Sequence, residues 1–321
     1  MRLPVSGLEV SFRLPDGYDD LAILEFSGPT SAREARNTQN PQDAFPTREA
    51  QAVLIERALD TLQRLTTLEP PPAPLPASPL PLAAQTVQND PWSSLTVTDF
   101  ETALLGLRRF LFGDTVLCFL RCVCSERMEI EFSIADLLHQ AHSRTPRRVV
   151  PSPTRHGWFE LRDKPDSEAR ELHAGEVQTQ GDPERQPTSF RLPTILDQLA
   201  ALRSPHPLGL LKHRCIDAPS RGSRTGSRAL ERAMETMSPA VSRPIDARCA
   251  ACDASLTPQL HVPSLVLEEL RASASAVHGE IHALAATYHW EEPTILAMPQ
   301  LRRRAYNEAI HNQAMYAGGA Q

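Results

Sequence analysis

The sequence predicts an α+β fold in which one unit, made of a strand, a helix and a close cysteine pair or "knuckle", occurs twice. Two segments, "SFRLPDGYDDLAIL" at 11–24 and "SFRLPTILDQLAAL" at 189–202, agree at nine of fourteen positions. Each predicts a strand that ends at a proline and continues into a helix. Each is followed, further along the chain, by a knuckle, in "RCVCSERMEIEF" and in "RCAACDASLTPQL". An internal duplication explains this agreement better than chance does.

Two regular elements are predicted between the copies. Apolar residues recur at helical spacing in residues 98–112 and Gly113 follows them, which predicts a helix that ends there. Thr98 and Glu101 have the spacing of a capping box at its start. In "RMEIEFSI", residues 127–134, apolar and polar residues alternate, and this two-residue period predicts a half-buried strand.

The longest regular pattern lies near the C-terminus and predicts a long helix. Apolar residues repeat there at spacings of three and four, along one face of a single six-turn helix: Leu267, Leu270, Ala274, Val277, Ile281, Leu284 and Tyr288. This face must be buried, either within the same chain or against another subunit. Two further helices are predicted to begin near Pro293 and Pro299, because proline suits the first helical position.

Polar and proline-rich segments separate these patterned pieces. Seven prolines lie between Pro70 and Pro81, and proline favours an extended backbone, so a linker is predicted there. Polar stretches from about Ser143 and from Asp217 predict loops or insertions. The predicted divisions are 1–68 (strand and helix of the first repeat), 69–91 (linker), 92–142 (helix and first knuckle), 143–188 (polar insertion), 189–313 (second repeat with the second knuckle and the C-terminal helices) and 314–321 (tail).

The composition argues against a nucleic-acid binder and against a membrane protein. The 321-residue chain has a formal net charge of −6 and only two lysines, Lys164 and Lys212, so nucleic acid is an unlikely partner. The sequence has no apolar run of about 18 residues and no secretory signal at its N-terminus. We therefore expect a cytoplasmic protein whose cysteines stay reduced and serve as core residues, reactive thiols or metal ligands.

Four of the six cysteines are candidate zinc ligands: Cys122, Cys124, Cys249 and Cys252. Two knuckles in equivalent places of a duplicated unit supply four thiolates, the number that tetrahedral zinc requires. Soft sulfur ligands and cytosolic availability favour zinc. A zinc ribbon is built in this way, from two cysteine turns at hairpin corners. Neither knuckle has the glycine that often eases the backbone at such a turn, and Ser125 and Asp253 occupy those positions.

Alternatives to this site stay open at the level of sequence. The first pair is CxC and not CxxC, and Cys118 could replace Cys124, since Cys118 and Cys122 are four residues apart. In another interpretation, Cys118 and Cys122 are small buried side chains and the second knuckle binds nothing. Cys215 is expected to be a core or spare thiol.

Two motifs have a catalytic or ligand-binding appearance that their spacing does not support. "HGEIH" places His278 and His282 one helical turn apart, but a zinc protease needs glutamate directly after the first histidine. Glu280 lies about 200° around the helix from His278, so it cannot act as base at a metal held there. The run Arg302–Arg304 is expected to pair with an acidic protein surface. No nucleotide-binding loop or nucleophile elbow occurs, so we expect no enzyme activity.

Several blocks, taken in order, resemble the baseplate and tail-assembly proteins of contractile-tail bacteriophages and of phage-like contractile injection systems. The blocks are "RLP…DQLAAL", "FGDTVLCFLRCVCSERMEIEFSIADLL", "RCAACDASLTPQL" and "EIHALAATYHWEEPTILAMPQLRRRAY". The resemblance implies a non-enzymatic component or assembly factor, with tail and baseplate proteins as partners. It also implies that the four knuckle cysteines are structural zinc ligands.

The sequence thus leads to two functional hypotheses. The first is an assembly or baseplate-associated protein of a contractile particle. The second is a zinc-ribbon adaptor that acts in transcription or another nucleic-acid process. A zinc hydrolase is disfavoured, because four thiolates leave no open position on the metal.

Overall fold

The computed structural model describes residues 1–25, 47–69, 91–162, 188–217 and 226–318. The helices are α1 (Gly17–Glu25), α2 (Arg48–Leu65), α3 (Val97–Phe112), α4 (Ile134–Gln140), α5 (Ile195–Leu202), α6 (Pro207–Cys215), α7 (Gly226–Met237), α8 (Val262–Ala274), α9 (Val277–Tyr288), α10 (Glu292–Leu296) and α11 (Gln300–Gly318). The strands are β1 (Glu9–Phe12), β2 (Thr66–Glu69), β3 (Thr115–Arg121), β4 (Arg127–Ser133), β5 (Val149–Pro151), β6 (Phe159–Leu161), β7 (Thr188–Phe190), β8 (Ile216–Asp217), β9 (Ala247–Arg248) and β10 (Ser255–Leu256). Within these residues, no helix combines the length and apolar character needed to cross a membrane.

Helices and small antiparallel sheets together confirm the predicted α+β class. Three sheets have two strands each, β1 with β2, β3 with β4, and β9 with β10. The fourth sheet has the order β5-β6-β7-β8, and its neighbouring strands are all antiparallel. Because the sheets are small, helices supply most of the core.

The two "SFRLP" segments form the same local structure. Arg13 donates two hydrogen bonds to the Asp19 carboxylate, at 2.6 and 2.8 Å, and Arg191 donates two to Asp197, at 2.5 and 2.9 Å. Each carboxylate also accepts the backbone N–H three residues before it, at 2.9 and 3.0 Å. In both segments a strand ends and a helix begins, as predicted. The aspartate at the equivalent position, Asp19 or Asp197, connects the end of the strand to the start of the helix through these hydrogen bonds.

The order of described elements is also the same in the two halves. In the first half, β1 and β2 pair across α1 and α2, and then come α3, the β3–β4 hairpin and α4. In the second half, β7 and β8 pair across α5 and α6, and then come α7, the β9–β10 hairpin and α8. This correspondence is what a duplication would produce, although the duplication itself stays a prediction.

One hydrophobic core contains residues of both halves. It includes Leu104 of α3, Ile195 of α5 and Leu270 of α8, all of them buried. A bidentate ion pair crosses the same interface, because Arg108 of α3 donates to Glu269 of α8 at 2.6 and 3.0 Å. The two predicted repeats therefore share this core.

The predicted polar insertion at 143–188 contains two strands of the four-stranded sheet. Val149 of β5 and Phe159 of β6 are buried, and they pack with Phe190 of β7 and with α7. The prediction of a loop is therefore wrong for this part, because a few apolar residues in an arginine-rich segment are enough to cover α7. Residues 163–187, 218–225 and, in the proline-rich linker, 70–90 lie outside the described residues.

Helix α3 confirms the predicted helix but uses a different cap. The N-cap is Thr96, whose side chain accepts the N–H of Asp99 at 3.2 Å. Glu101 is buried and accepts two hydrogen bonds from Ser242, while Thr98 donates to a backbone carbonyl after α7 at 2.8 Å. The predicted capping box is therefore wrong, because tertiary contacts hold both of its side chains. The helix ends at Gly113 as predicted.

The predicted six-turn helix is instead two helices, α8 and α9, which are separated after Ala274. The carbonyl of Ser273 accepts hydrogen bonds from the side chains of Gln300 and Arg304 of α11, at 3.3 and 2.8 Å. The two side chains thus supply hydrogen-bond donors to a carbonyl at the break between the helices. The apolar sequence pattern does not reveal this break. The apolar seam is still buried within the chain, where α8 packs against α1, α2 and α3. Helices α10 and α11 begin next to Pro293 and Pro299, as predicted.

Candidate metal centre

The first knuckle is the corner of the β3–β4 hairpin. The two strands pair along their whole length, which confirms the predicted strand, except that Ile134 begins α4. At the corner, the N–H of Cys122 donates to the carbonyl of Glu126 at 2.9 Å, and the N–H of Ser125 donates to the carbonyl of Cys122 at 2.8 Å. Ser125 has a φ of 71°, in the left-handed region where glycine is favoured.

The second knuckle is the corner between β9 and β10 and has the same design. The N–H of Cys249 donates to the carbonyl of Ala254, and the N–H of Asp253 donates to the carbonyl of Cys249, both at 2.9 Å. Asp253 has a φ of 57°. Ser125 and Asp253 therefore take the left-handed conformation at the two positions where the sequence lacks a glycine.

The two corners meet and bring four thiols together. The Sγ atoms of Cys122, Cys124, Cys249 and Cys252 all lie within 4.8 Å of one another. Two of the Sγ–Sγ distances are 3.6 Å, between Cys122 and Cys252, and 3.7 Å, between Cys124 and Cys249. A disulfide is about 2.05 Å long, so these are separate thiols. Zn–S bonds of about 2.3 Å put tetrahedral sulfurs about 3.8 Å apart, so the donor set fits zinc.

The cluster lies at the surface, with one side packed and the other open. Cys122 and Cys249 are buried, while Cys124 and Cys252 are exposed. The buried pair packs with Leu256 in a small apolar cluster apart from the main core. An ion could therefore enter from solvent and would hold two surface hairpins together.

The surroundings of Cys249 and Cys252 shift the pKa values of these two thiols in opposite directions. Backbone N–H groups of Ala251 and Cys252 lower the pKa of Cys249 to about 7, which favours its thiolate. A backbone hydrogen bond involving Ala254 lowers the pKa of Cys252, but the neighbouring thiols outweigh it and raise this pKa to about 12. Thiols packed this closely resist ionising together, and a cation would remove that resistance.

The other two cysteines lie outside the cluster. Cys118 is half-buried in β3, opposite Ile130, so the structure places Cys124 and not Cys118 with the second knuckle. Cys215 is buried, with its Sγ 3.8 Å from a carboxylate oxygen of Asp197. Burial raises the pKa of Cys215 to about 11, which agrees with a core thiol.

The glutamate of the histidine motif and the arginine run form ion pairs with each other. His278 and His282 are exposed, and Glu280 points the other way, to Arg303 at 3.0 Å. Arg303 is fully buried and also donates to the Asp20 carboxylate. The arginine run was expected to pair with an acidic protein surface, whereas the carboxylates that Arg303 and Arg304 contact belong to the chain's own α1 and α9. No sequence signal marked Asp20 as buried, because its neighbours are ordinary first-turn residues of a helix.

The number of thiols in the cluster limits what a metal bound there could do chemically. Tetrahedral metals with four thiolates have no open position for water or substrate, so such a site stabilises structure. Among the described residues, it is the one group of three or more candidate ligands close enough to hold an ion.

Comparison with known proteins adds no assignment. No family model matches this chain, and no curated protein or solved structure matches it either.

Proposed function

We propose that the four-cysteine cluster binds one zinc ion in a structural role. The Sγ–Sγ distances of 3.6 and 3.7 Å support this proposal, as do the two hairpin corners of matching design. The ion would fasten the β3–β4 hairpin of the first half to the β9–β10 hairpin of the second. Iron is the other metal that four thiolates select, and metal analysis separates the two.

We further propose that the protein is a non-enzymatic structural or assembly factor for the baseplate or tail of a contractile injection particle. The ordered sequence blocks described above support this proposal. They coincide with scaffold elements: α5, the first knuckle with α4, the second knuckle, and helices α9 to α11. The partners would be other tail and baseplate proteins, met in the cytoplasm where particles assemble.

Deletion of the gene tests the assembly role. In the organism that encodes this chain, neighbouring genes are expected to encode sheath, tube and baseplate parts. The deletion strain is expected to lack intact particles by electron microscopy, and wild-type complementation is expected to restore them. Intact particles in normal number in the deletion strain would contradict the proposal.

A zinc-ribbon adaptor for nucleic acid is a second candidate, and a basic hairpin favours it. Residues 144–162 contain five arginines and a single acidic residue, Glu160. Arg148 and Arg162 lie opposite each other at the base of β5 and β6, where the N–H of Arg162 donates to the carbonyl of Arg148 at 2.9 Å. Within the part of the chain that the structure describes, neither has an ion pair. Arg155 stacks on Trp158, 3.9 Å from the ring centre.

Binding to a fluorescent single-stranded oligonucleotide at several salt concentrations tests this candidate. An adaptor would bind with an affinity that falls steeply with salt, and Arg148→Glu would weaken binding and reduce the salt slope by about 1. The exposed Arg302→Glu variant is the matched control. No binding at low salt, or equal loss in both variants, would contradict the adaptor.

A further inference from the structure

The β3 side of the outer face of the β3–β4 hairpin is unusually apolar for a surface, whereas the β4 side of that face is charged. The side chains of Leu117 and Phe119 on β3 are 50% and 65% exposed, and Val123 at the corner is 75% exposed. Leu117 and Phe119 lie on the same face, because alternate residues of a strand share a face. Large apolar side chains in a row on an exposed strand mark a surface that another chain covers.

The backbone of the same residues is free to pair. Hydrogen bonds join Ile134 to Asp114 and Cys122 to Glu126, at the two ends of the ladder. Bonded and non-bonded pairs alternate in an antiparallel ladder, so the N–H and C=O groups of Leu117 and Phe119 point away from β4. In the described part of the chain, no other backbone group bonds to them. β3 is therefore an open edge whose unpaired residues also carry the exposed apolar side chains.

The two edges of the hairpin differ in charge, and this difference favours β3 over β4 as the edge that pairs with another strand. Arg127, Glu129 and Glu131 hold the corresponding outward positions on β4 and are exposed. Charged side chains at an edge discourage pairing with another strand. On β3 the outward positions hold Thr115, Leu117, Phe119 and Arg121, with no acidic residue.

We propose that β3 pairs with β3 of a second copy of this chain, in antiparallel orientation, to form a four-stranded sheet across a two-fold axis. Pairing about Cys118 overlaps the full length of the strand, Thr115–Arg121. In that register Leu117 lies directly opposite the partner's Phe119 on the same face of the sheet, so the apolar side chains form two cross-strand pairs. Arg121 faces the partner's Thr115, so no like charges meet across the pair. The self-complementary arrangement is the reason to favour a second copy over a foreign strand.

Sedimentation velocity on the full chain tests the dimer. The wild type is expected to shift from monomer to dimer as its concentration rises through the micromolar range. Phe119→Lys is expected to weaken dimerisation at least tenfold, because it puts two charges into the apolar row. Leu208→Lys, at an equally exposed apolar residue of α6, is the matched control and should dimerise as the wild type does. Circular dichroism melts verify that both variants fold.

Hydrogen exchange tests strand pairing directly. The amides of Leu117 and Phe119 are expected to become protected at dimer-forming concentration, while those of Glu129 and Glu131 on the charged edge exchange as in the monomer. A wild type that stays monomeric throughout the range would overturn the proposal. So would a dimer in which the β3 amides stay unprotected, or protection that appears only when another protein is added, which would assign the edge to a foreign strand.

Discussion

At the scale of single residues, an aspartate at the same position of each "SFRLP" segment binds the arginine of that segment. Asp197 accepts two hydrogen bonds from Arg191 and is also paired with Arg214 at 2.8 Å. Its side chain is only 1% exposed. Asp19 makes the equivalent contacts to Arg13 alone. Two carboxylates of the same design thus differ in the number of arginines that they neutralise.

We predict that Asp197→Asn lowers the free energy of unfolding by about 2–3 kcal/mol at neutral pH, because it leaves the guanidinium groups of Arg191 and Arg214 with a weaker, uncharged acceptor. Burial raises the pKa of Asp197, but hydrogen bonds from Arg191 and Thr194 outweigh it and hold the pKa below the usual 3.8. The stability that the ionised form contributes is therefore present above about pH 4 and is lost as the pH falls further. Urea unfolding of both proteins across this range measures the difference.

Asp19→Asn is the matched control for that variant. It removes the same motif in the first copy but affects one arginine instead of two, so a smaller loss is expected. Equal losses would show that Arg214 adds nothing, and a constant difference down to pH 3 would contradict the assigned pKa direction.

The second prediction at the scale of single residues concerns a buried arginine, Arg303. Arg303 is 0% exposed and neutralises both Asp20 and Glu280. Burial raises the pKa of Asp20 to about 6 even though Arg303 opposes the shift. Arg303→Met should cost about 3–5 kcal/mol of stability, because two buried carboxylates lose their cation.

Arg302→Met is the comparison for Arg303→Met, since Arg302 is its exposed neighbour. Thermal and urea unfolding should show little change in this variant. A similar cost in both would contradict the importance of the buried cluster.

At the scale of elements, the sequence predicted which helices and strands exist better than it predicted where each one begins and ends. The helix α3 and the strand β4 follow from local apolar periods, and both are present. The predicted cap of α3 is wrong because "TVTDFE" contains two overlapping capping patterns. Contacts from a distant segment hold Thr98 and Glu101, so the pattern that begins at Thr96 forms the cap. The sequence did not predict the break between α8 and α9 for a similar reason, because the side chains that donate hydrogen bonds to the Ser273 carbonyl come from α11.

The hairpin corners give a prediction at the element scale. Ser125 holds a left-handed conformation that costs a residue with a Cβ about 1–2 kcal/mol. We predict that Ser125→Gly raises stability by up to about 1 kcal/mol and that Ser125→Val lowers it, because a β-branched side chain is least tolerated there. Urea titration of the metal-loaded protein measures both. A loss of stability in Ser125→Gly would contradict the role of this turn.

At the scale of the whole molecule, the candidate site was predictable and its setting was not. The twin knuckles identified Cys122, Cys124, Cys249 and Cys252, and the structure brings all four together. Sequence spacing could not choose between Cys118 and Cys124, because that choice depends on how the hairpin folds. Nor could it show that both halves share one core, which long-range packing between α3, α5 and α8 creates.

The shared core determines what metal removal should do. A chelator is expected to lower the melting temperature and to loosen the β3–β4 and β9–β10 corners, because metal binding contributes to folding. The helical signal in circular dichroism should be retained, since the core of both halves does not include the cluster. Complete unfolding by chelator at room temperature would contradict this division.

Metal content of the purified protein tests the central claim most directly. We predict about one zinc ion per chain in the wild type, Cys118→Ser and Cys215→Ser, and loss of zinc together with a lower melting temperature in Cys249→Ser and Cys252→Ser. Unchanged zinc in the Cys249→Ser and Cys252→Ser variants, or a wild type purified without chelators that contains no metal, would contradict the claim that this cluster is a structural zinc site.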